Sequence, residues 1–455
     1  MVHTFFACGI YVALDVDSGS VFQIDPVAHE VILRYEEASY DEIFDELSPR
    51  FGRQAVSRAY EEIQDLVSQG IIFTRMDYAP LLAEHDDAGV IKAMCLNIAH
   101  DCNLRCAYCF AGTGVFGGGR CVMTAETGKN ALDFLMRHCG NRRHLEVDFF
   151  GGEPTLVMDT MREIVAYGRE LEKLHDKQIA FTVTTNCAHI SDETIEFFDR
   201  EMHNVVLSLD GRKKVHDRMR RTPQGTGSFD LVAQNALKIA TSRREKHLEY
   251  FVRGTFTKNN LDFARDVLAM HDMGFEHVSV EPVVAPEEAS YALLDEHLPQ
   301  IRREYEVLAR QYRQRRQEGR PFIFFHFMLD LQGGPCLPKR LKGCGAGNEY
   351  VAVVPDGGIY PCHQFDGNKD FLMGNVNSGA VDEAMRTMFR DNHALNKPDC
   401  RACWAKFFCS GGCVANAVAY NGDMKKPHAI SCEMEKKRLE CAIALWVLQR
   451  EEEPS

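Results

Sequence analysis

The middle of the chain, from about residue 90 to 310, alternates apolar segments typical of strands with amphipathic segments typical of helices. This alternation favours a parallel sheet, because a crossover helix must separate two strands that run in the same direction. Six such units predict an α/β fold, a partial (β/α)6 barrel similar to the TIM barrel. The predicted strands are Lys92 to Ala99, His144 to Phe150, Ala180 to Thr185, Asn204 to Leu209, His247 to Phe256 and His277 to Pro282.

Polar or flexible segments lie at the ends of these strands. In chain order they include the cysteines at 102, 106 and 109, Gly151-Gly152-Glu153-Pro154, Thr185-Asn186, Ser208-Leu209-Asp210-Gly211 and Glu281-Pro282-Val283. The carboxyl ends of parallel barrel strands meet at one mouth. Each segment alone is more often a turn or a strand exit, but their order predicts one shared site.

The cysteine loop has the spacing C-x3-C-x2-C at Cys102, Cys106 and Cys109. Three thiolates can hold three corners of a cubane iron-sulfur cluster and leave the fourth iron open to a substrate-like ligand. The alternative is a structural zinc loop, which usually pairs C-x2-C with a second, distant ligand pair.

The loop and the segments after the later strands resemble the signature of radical S-adenosylmethionine (radical SAM) enzymes. In that family the open iron binds the amino and carboxylate groups of S-adenosylmethionine, and its reduction yields a 5′-deoxyadenosyl radical that abstracts hydrogen. Gly151 and Gly152 permit close backbone approach to a ligand. The resemblance implies that they act with Glu153 to hold the methionyl amino group.

The resemblance also implies contacts to the rest of S-adenosylmethionine. One of Arg218, Arg220 and Arg221, with Arg220 as the candidate, supplies a cation for the carboxylate, although an arginine cluster is usually a solvated helix face. The other predicted contacts are Ser208, Asp210 and Asn186 near the ribose, and Tyr108 and Val283 at the adenine.

A second set of cysteines lies in a glycine-rich region after a charged helix, Leu298 to Glu318. Such composition suits a domain held together by metal clusters, with two zinc knuckles as the alternative. The pattern is similar to the SPASM extension, which carries two auxiliary 4Fe-4S clusters. The similarity implies Cys344, Cys362 and Cys413 as ligands of one cluster, and Cys400, Cys403, Cys409 and Cys432 as ligands of the other. Cys336 is a candidate eighth ligand; without it, an open iron would be free to bind a peptide thiolate.

The first 85 residues predict three short strands followed by three helices, a winged-helix-like module that an acidic linker, Glu84 to Gly89, separates from the barrel. The chain thus divides into residues 1–85, 90–310 and 330–455. The chain resembles the SCIFF maturases, which install a thioether in a small cysteine-rich peptide, in its opening, Gly9 to Gly19, and in Gly333 to Cys336, Cys344 to Gly347 and Tyr360 to Phe365. That resemblance implies a module that adds the leader of a precursor peptide to a sheet edge.

The resemblance therefore implies a radical SAM maturase that forms a Cys-to-Thr-type thioether. Its cofactors would be three 4Fe-4S clusters and S-adenosylmethionine, and its partners a precursor peptide and an electron donor such as flavodoxin or ferredoxin. Two alternatives remain: another SPASM enzyme, such as an anaerobic sulfatase maturase that forms formylglycine, and a non-catalytic iron-sulfur electron carrier.

The composition of the chain disfavours two classes of partner, nucleic acids and membranes. The net charge of the 455 residues is −14, which disfavours nucleic acid because its phosphates would be repelled. An apolar run of about 18 residues, as a membrane span requires, is absent, as is an export signal. We expect a reduced, cytoplasmic protein without a membrane partner.

Overall fold

The computed structural model describes residues 1–78, 80, 89–329, 331 and 337–452. The chain begins with an antiparallel sheet of β1 (Val2–Ala7), β2 (Ile10–Asp15) and β3 (Val21–Ile24), in that order. Three helices follow: α1 (Pro26–Arg34), α2 (Tyr40–Phe51) and α3 (Arg53–Ser68). Asp25 and Ser39 cap α1 and α2, and the helices pack around buried Val31, Ile43 and Ile63. The predicted order of three strands and three helices is observed.

The centre of the molecule is a sheet of six parallel strands, each paired with its neighbour in chain order. They are β4 (Ala93–His100), β7 (His144–Gly151), β8 (Gln178–Thr185), β9 (Met202–Ser208), β11 (Glu249–Phe256) and β12 (His277–Pro282). Three two-residue strands lie in the loops: β5 (Arg105–Cys106), β6 (Cys121–Val122) and β10 (Arg220–Arg221). The prediction of an α/β fold with a parallel core is confirmed.

Helices cover one face of this sheet, because every second strand residue is apolar. In β8, Ile179, Phe181 and Val183 are buried, and the residues between them face the barrel interior. The helices are Ala125–His138, Met158–His175, Asp192–Glu201, Lys213–Met219, Phe229–Glu245, Ala264–Asp272 and Leu298–Gln317. The predicted fifth strand begins two residues late, at Glu249, since His247 has a left-handed backbone with φ +55°.

The C-terminal region extends the same sheet. Strand β14 (Tyr350–Val353) runs parallel to β4, and β15 (Gly358–Tyr360), β16 (Gly374–Asn375) and β17 (Ala380–Val381) follow it in antiparallel pairs. At the other edge β12 pairs with β13 (Ile323–Phe324). Within the described ranges the strands therefore form an open sheet, not a closed barrel.

The remaining helices are mostly short. They are Leu337–Lys342, Glu383–Arg390, Pro398–Arg401, Lys406–Cys409, Val414–Asn421 and Ala429–Glu452. The last of these, the C-terminal helix, packs against the N-terminal sheet, where Ile443 and Val447 meet Phe5, Val12 and Leu14. The two ends of the chain thus share one apolar cluster.

Parts of the sequence interpretation lie outside the described residues. They are Cys336, the boundaries at 85 and 330, and all of the acidic linker except Gly89. In the described ranges, none of the helices has the length and apolar character needed to cross a membrane.

Candidate functional site

The cysteine loop begins directly after β4 and is held by a second strand pair. Strand β5 pairs with β10, which places Arg220 opposite Cys106. Burial raises the pKa of Cys102 to about 12 and that of Cys106 to about 11, and the Cys109 thiol contributes to both shifts. The three thiols therefore lie close together in a shielded site. A metal that displaced their protons would supply the missing counter-charge.

Gly151 and Gly152 fit tightly against neighbouring backbone. A Cβ on Gly151, whose φ is +128°, would lie 2.5 Å from the carbonyl oxygen of Ala99. A Cβ on Gly152 would lie 2.1 Å from the carbonyl oxygen of Asp101. These glycines make room for the backbone that carries Cys102, and close approach of a ligand to them stays a prediction.

Glu153 lies in the turn that follows β7 and is held by hydrogen bonds within the protein. Its carboxylate is buried and accepts four hydrogen bonds, from Thr155 N (3.1 Å), Thr155 Oγ1 (2.7 Å), Thr185 Oγ1 (2.8 Å) and Asn186 N (2.7 Å). Three of these hydrogen bonds are to Oε1 and one is to Oε2, so Oε2 can still accept another donor. That the carboxylate or the carbonyls of this turn accept from a ligand ammonium stays a prediction.

Asn186 links the turn of Glu153 to the cysteine loop. Its Nδ2 donates to Asn103 Oδ1 at 2.7 Å and lies 3.5 Å from Cys102 Sγ, while its Oδ1 accepts from Ala188 N at 2.8 Å. Hydrogen bonds to the ligand sulfurs are one means by which a protein sets the potential of a cluster. The geometry places Asn186 at a thiol, and contact with a ribose stays a prediction.

Tyr108, Asp210 and Arg220 form one buried network. The Tyr108 hydroxyl donates to Asp210 Oδ2, Arg220 Nε donates to the Tyr108 oxygen at 2.6 Å, and Arg220 Nε lies 3.2 Å from Asp210 Oδ1. Thr255 N adds a fourth contact, to Asp210 Oδ1 at 3.0 Å. The sequence predicted three separate ligand contacts, but the structure joins them, and Asp210 fixes the positions of the other two.

The structure separates the three candidate arginines. Arg220 is 8% exposed, whereas Arg218 and Arg221 are exposed to solvent. Ser208 is half-buried at the end of β9, and Val283 is buried just past β12, where its N–H donates to Phe256 O at 2.8 Å. These positions agree with a common mouth, while the individual ligand contacts remain predictions.

The C-terminal cysteines fall into two groups. Charges on Cys344 and Cys413 both raise the pKa of Cys362, so these three thiols are neighbours. Charges on Cys432 and Cys400 raise the pKa of Cys409, and charges on Cys400 and Cys403 raise that of Cys432. These interactions place Cys344, Cys362 and Cys413 near one another and the other four cysteines near one another, and the ligation of one cluster by each group stays a prediction.

The group of four lines a cavity of about 510 Å³ beside the N-terminal sheet. Its lining comprises Cys400, Cys403, Cys409 and Cys432, with His3 and Trp404, whose rings stack 4.0 Å apart. In the part of the chain that the structure describes, no three His, Cys, Asp or Glu side chains converge on one point as a single metal ion requires. A cubane cluster instead takes one thiolate at each corner, which suits thiols spread around a cavity.

Two further residues were missed by the sequence interpretation. His216 is buried next to Asp210, whose backbone N–H lies 3.4 Å from its Nδ1. Lys397 is buried among the C-terminal cysteines. A lone histidine or lysine in a polar segment carries no local signal of burial, although the position of Lys397 three residues before Cys400 is a hint.

Residues 96–240 match the radical SAM superfamily, and residues 344–404 match the SPASM iron-sulfur cluster-binding domain. The chain therefore contains a radical SAM domain and a SPASM domain. These domains imply 4Fe-4S clusters and S-adenosylmethionine. The cysteines of the site lie in sets of three or four, and thiolates are the ligands that such clusters take.

The curated relatives of this chain include enzymes named for sulfatase maturation and for peptide cyclisation. A cysteine-type anaerobic sulfatase-maturating enzyme of Clostridium novyi is 24% identical over 331 residues, which cover 70% of this chain and 86% of the relative. A PqqA peptide cyclase of Bradyrhizobium diazoefficiens is 24% identical over 349 residues, 74% of this chain and 84% of the relative.

Solved structures share the fold. Native anSMEcpe with bound AdoMet has a TM-score of 0.64 at 18% identity, and the match covers 78% of this chain and 98% of anSMEcpe. Streptococcus suis SuiB bound to S-adenosylmethionine has a TM-score of 0.53 at 16% identity and covers 94% of this chain, with 98% of SuiB covered.

Proposed function

We propose that this protein is a peptide maturase that forms a thioether between a cysteine and a Thr-type acceptor residue in a ribosomally made, cysteine-rich precursor. One observation carries the proposal: a module with an open sheet edge is joined in one chain to the radical SAM cysteines and to two further groups of cysteines. The proposed cofactors are three 4Fe-4S clusters and S-adenosylmethionine. Flavodoxin or ferredoxin is the proposed electron donor.

The N-terminal module has a groove suited to an extended peptide. The groove lies between β3 and α3 and encloses about 840 Å³, with Ile24, Ile63 and Leu66 in its wall and Arg53 and Arg58 at its rim. Strand β3 pairs only with β2 among the described residues, so its other edge is available. A leader peptide that adds a strand there would gain main-chain hydrogen bonds as well as apolar contact.

The ladder of β2 and β3 shows which residue of β3 faces this edge. Asp15 N donates to Ser20 O at 2.9 Å, and antiparallel pairs alternate between hydrogen-bonded and non-hydrogen-bonded. Counting along the register, the pair of Val12 and Gln23 is non-hydrogen-bonded. The N–H and C=O of Gln23 therefore point away from β2, toward the proposed leader.

At the barrel mouth the chain's residues hold and orient the cofactors. Cys102, Cys106 and Cys109 would ligate the radical SAM cluster, which with S-adenosylmethionine supplies a 5′-deoxyadenosyl radical that removes one hydrogen atom. The backbone of Gly151, Gly152 and Glu153 would hold the amino group, and Arg220 the carboxylate. The remaining proposed contacts are Asn186, Ser208 and Asp210 toward the ribose, directly or through their partners, and Tyr108 and Val283 toward the adenine.

The clusters that the auxiliary cysteines would ligate would accept the electron that thioether formation releases. A thioether forms one C–S bond and breaks one C–H and one S–H bond. One hydrogen atom leaves to the adenosyl radical, and the other leaves as a proton and an electron. Cys344, Cys362 and Cys413 would ligate one auxiliary cluster, with Cys336 as its candidate fourth ligand, and Cys400, Cys403, Cys409 and Cys432 would ligate the other.

Formylglycine formation is the second candidate, because a sulfatase-maturating enzyme is among the relatives. The coverage of the structural neighbours bears on the leader-binding module that the thioether proposal includes. The anSMEcpe structures cover 78–80% of this chain, and SuiB, which has been solved bound to its precursor peptide SuiA, covers 94%. The additional coverage is consistent with a leader-binding module.

A pair of variants at one position tests the proposal. Gln23→Pro removes the outward N–H at an edge position where proline is tolerated, and Gln23→Ala keeps the N–H and serves as the control. Reconstituted anaerobically with dithionite, S-adenosylmethionine and a cysteine-rich peptide bearing its leader, the wild type and Gln23→Ala should produce 5′-deoxyadenosine and a peptide lighter by two hydrogens. Gln23→Pro should cleave S-adenosylmethionine but modify the peptide at least tenfold more slowly. Equal modification by all three proteins would refute the role of this edge, and a peptide aldehyde would favour formylglycine formation.

A further inference from the structure

Lys397 is a buried cation in the SPASM domain. Its side chain is 2% exposed, and its Nζ donates to Gly411 O at 2.9 Å. An ammonium has three N–H donors, and no other hydrogen bond of this group is present among the described residues. Burial lowers the pKa of Lys397, while the thiols of Cys400, Cys409, Cys413 and Cys432 act to raise it.

The surroundings of Lys397 lack the usual partner of a buried lysine. In the described part of the chain its Nζ forms no ion pair with a carboxylate, although the domain contains many other lysine–carboxylate pairs. A buried ammonium without an anion is strongly destabilising because it loses its hydration. The nearby anions that this chain can offer are cysteine thiolates, and these become permanent anions when they ligate iron.

The position of Lys397 links both groups of cysteines. Its hydrogen-bond acceptor, Gly411, lies in the turn between Cys409 of the group of four and Cys413 of the group of three. A Cβ on Gly411 would lie 3.4 Å from Lys397 Nζ, so this turn packs directly on the amine. The amine therefore lies beside the segment in which a proposed ligand of one auxiliary cluster, Cys409, is closest in sequence to a proposed ligand of the other, Cys413.

We propose that Lys397 raises the reduction potential of the auxiliary clusters and so helps the substrate electron to leave. The potential of a cluster depends on nearby net charge and on hydrogen bonds to its sulfurs. A fixed positive charge stabilises the reduced, more negative state and thus makes each cluster a better electron acceptor. Lys397 is a positioning and tuning residue, not a catalytic one. The inference rests on the proposed ligation of the clusters but not on thioether formation.

The test measures potentials instead of turnover. In a background with Cys102, Cys106 and Cys109 changed to Ala, only the auxiliary clusters contribute to the electron paramagnetic resonance signal. Lys397→Met removes the charge and keeps an unbranched side chain that is one atom shorter, Lys397→Arg keeps the charge, and Lys425→Met changes an exposed lysine of the same domain. Redox titration of each holoprotein gives the midpoint potentials, and iron content and circular dichroism report cluster loading and folding.

We expect Lys397→Met to lower the reduced-to-oxidised ratio of at least one auxiliary cluster at least tenfold at a fixed potential, which is about 59 mV for one electron. Lys397→Arg should stay nearer to the wild type, and Lys425→Met should match it. If Lys397→Met fails to load iron and Lys397→Arg loads normally, the requirement for charge is supported. Wild-type potentials in Lys397→Met, or equal failure of both variants to load iron, would overturn the proposal.

Discussion

Gly152→Ala should displace the cysteine loop. The new Cβ would lie 2.1 Å from Asp101 O and 2.6 Å from Asp101 C, and the backbone on either side must open by about 1 Å to relieve this contact. Overpacking of this kind costs about 1–3 kcal/mol. The hydrogen bond from Glu153 N to Asp101 O, 2.9 Å long, would weaken and add about 1 kcal/mol. We expect a loss of about 2–4 kcal/mol in the free energy of unfolding.

The yield of 5′-deoxyadenosine should fall by more than the loss of folded protein explains, because Asp101 directly precedes Cys102. A displacement of about 1 Å at a reacting group can reduce a rate about 100-fold. The matched control is Gly119→Ala, in the loop that carries Cys102. At Gly119 no heavy atom lies within 4 Å of the added Cβ, and φ is not positive. Anaerobic urea unfolding gives the stability, and the yield of 5′-deoxyadenosine per bound iron gives the activity. The argument fails if Gly152→Ala matches Gly119→Ala in both assays.

Three more predictions concern the buried network at the barrel mouth. Asp210→Asn leaves Arg220 without its carboxylate and should cost about 3–5 kcal/mol of unfolding free energy, whereas Asp159→Asn, at an exposed position, should cost under about 0.5 kcal/mol; equal urea midpoints would contradict this. Arg220→Met should weaken binding of S-adenosylmethionine by calorimetry at least tenfold, and Arg218→Met, at an exposed position, should not; the reverse order would reassign the cation. Burial lowers the pKa of His216 to about 4, so the unfolded chain binds a proton near pH 6.5 that the folded chain does not, and stability falls as pH drops from about 6.5 toward 4. Between pH 7.5 and 5.5 this histidine should account for about 1 kcal/mol of that fall, and His216→Gln should remove that share in urea unfolding at the two pH values; an unchanged difference would be evidence against a neutral His216.

Local sequence patterns predicted the barrel well because each strand and helix carries its own periodicity. Both ends of all six parallel strands were predicted to within two residues, and the strand-end segments meet as expected. The pairing of β14 with β4 was not predicted, because it joins residues more than 250 positions apart and leaves no trace in either segment. Strand β14 by itself looks like half of a hairpin, which it also is.

The site shows a similar limit. Residue types identified the cysteine groups and drew attention to Glu153, Asp210 and Arg220, but they did not reveal which atoms the protein itself would occupy. The Glu153 carboxylate accepts hydrogen bonds from Thr155, Thr185 and Asn186. The Asp210 carboxylate accepts from Tyr108 and pairs with Arg220. Hydrogen-bond saturation depends on neighbours from other strands, and sequence spacing contains no information about it.

The most direct test of the account is tandem mass spectrometry of a cysteine-rich precursor peptide after anaerobic incubation with the reconstituted protein, dithionite and S-adenosylmethionine. The account predicts a product that lacks two hydrogens, has one cysteine that no longer reacts with an alkylating agent, and fragments as a sulfur-to-carbon cross-link. Formylglycine at that cysteine, or an unmodified peptide beside abundant 5′-deoxyadenosine, would contradict it.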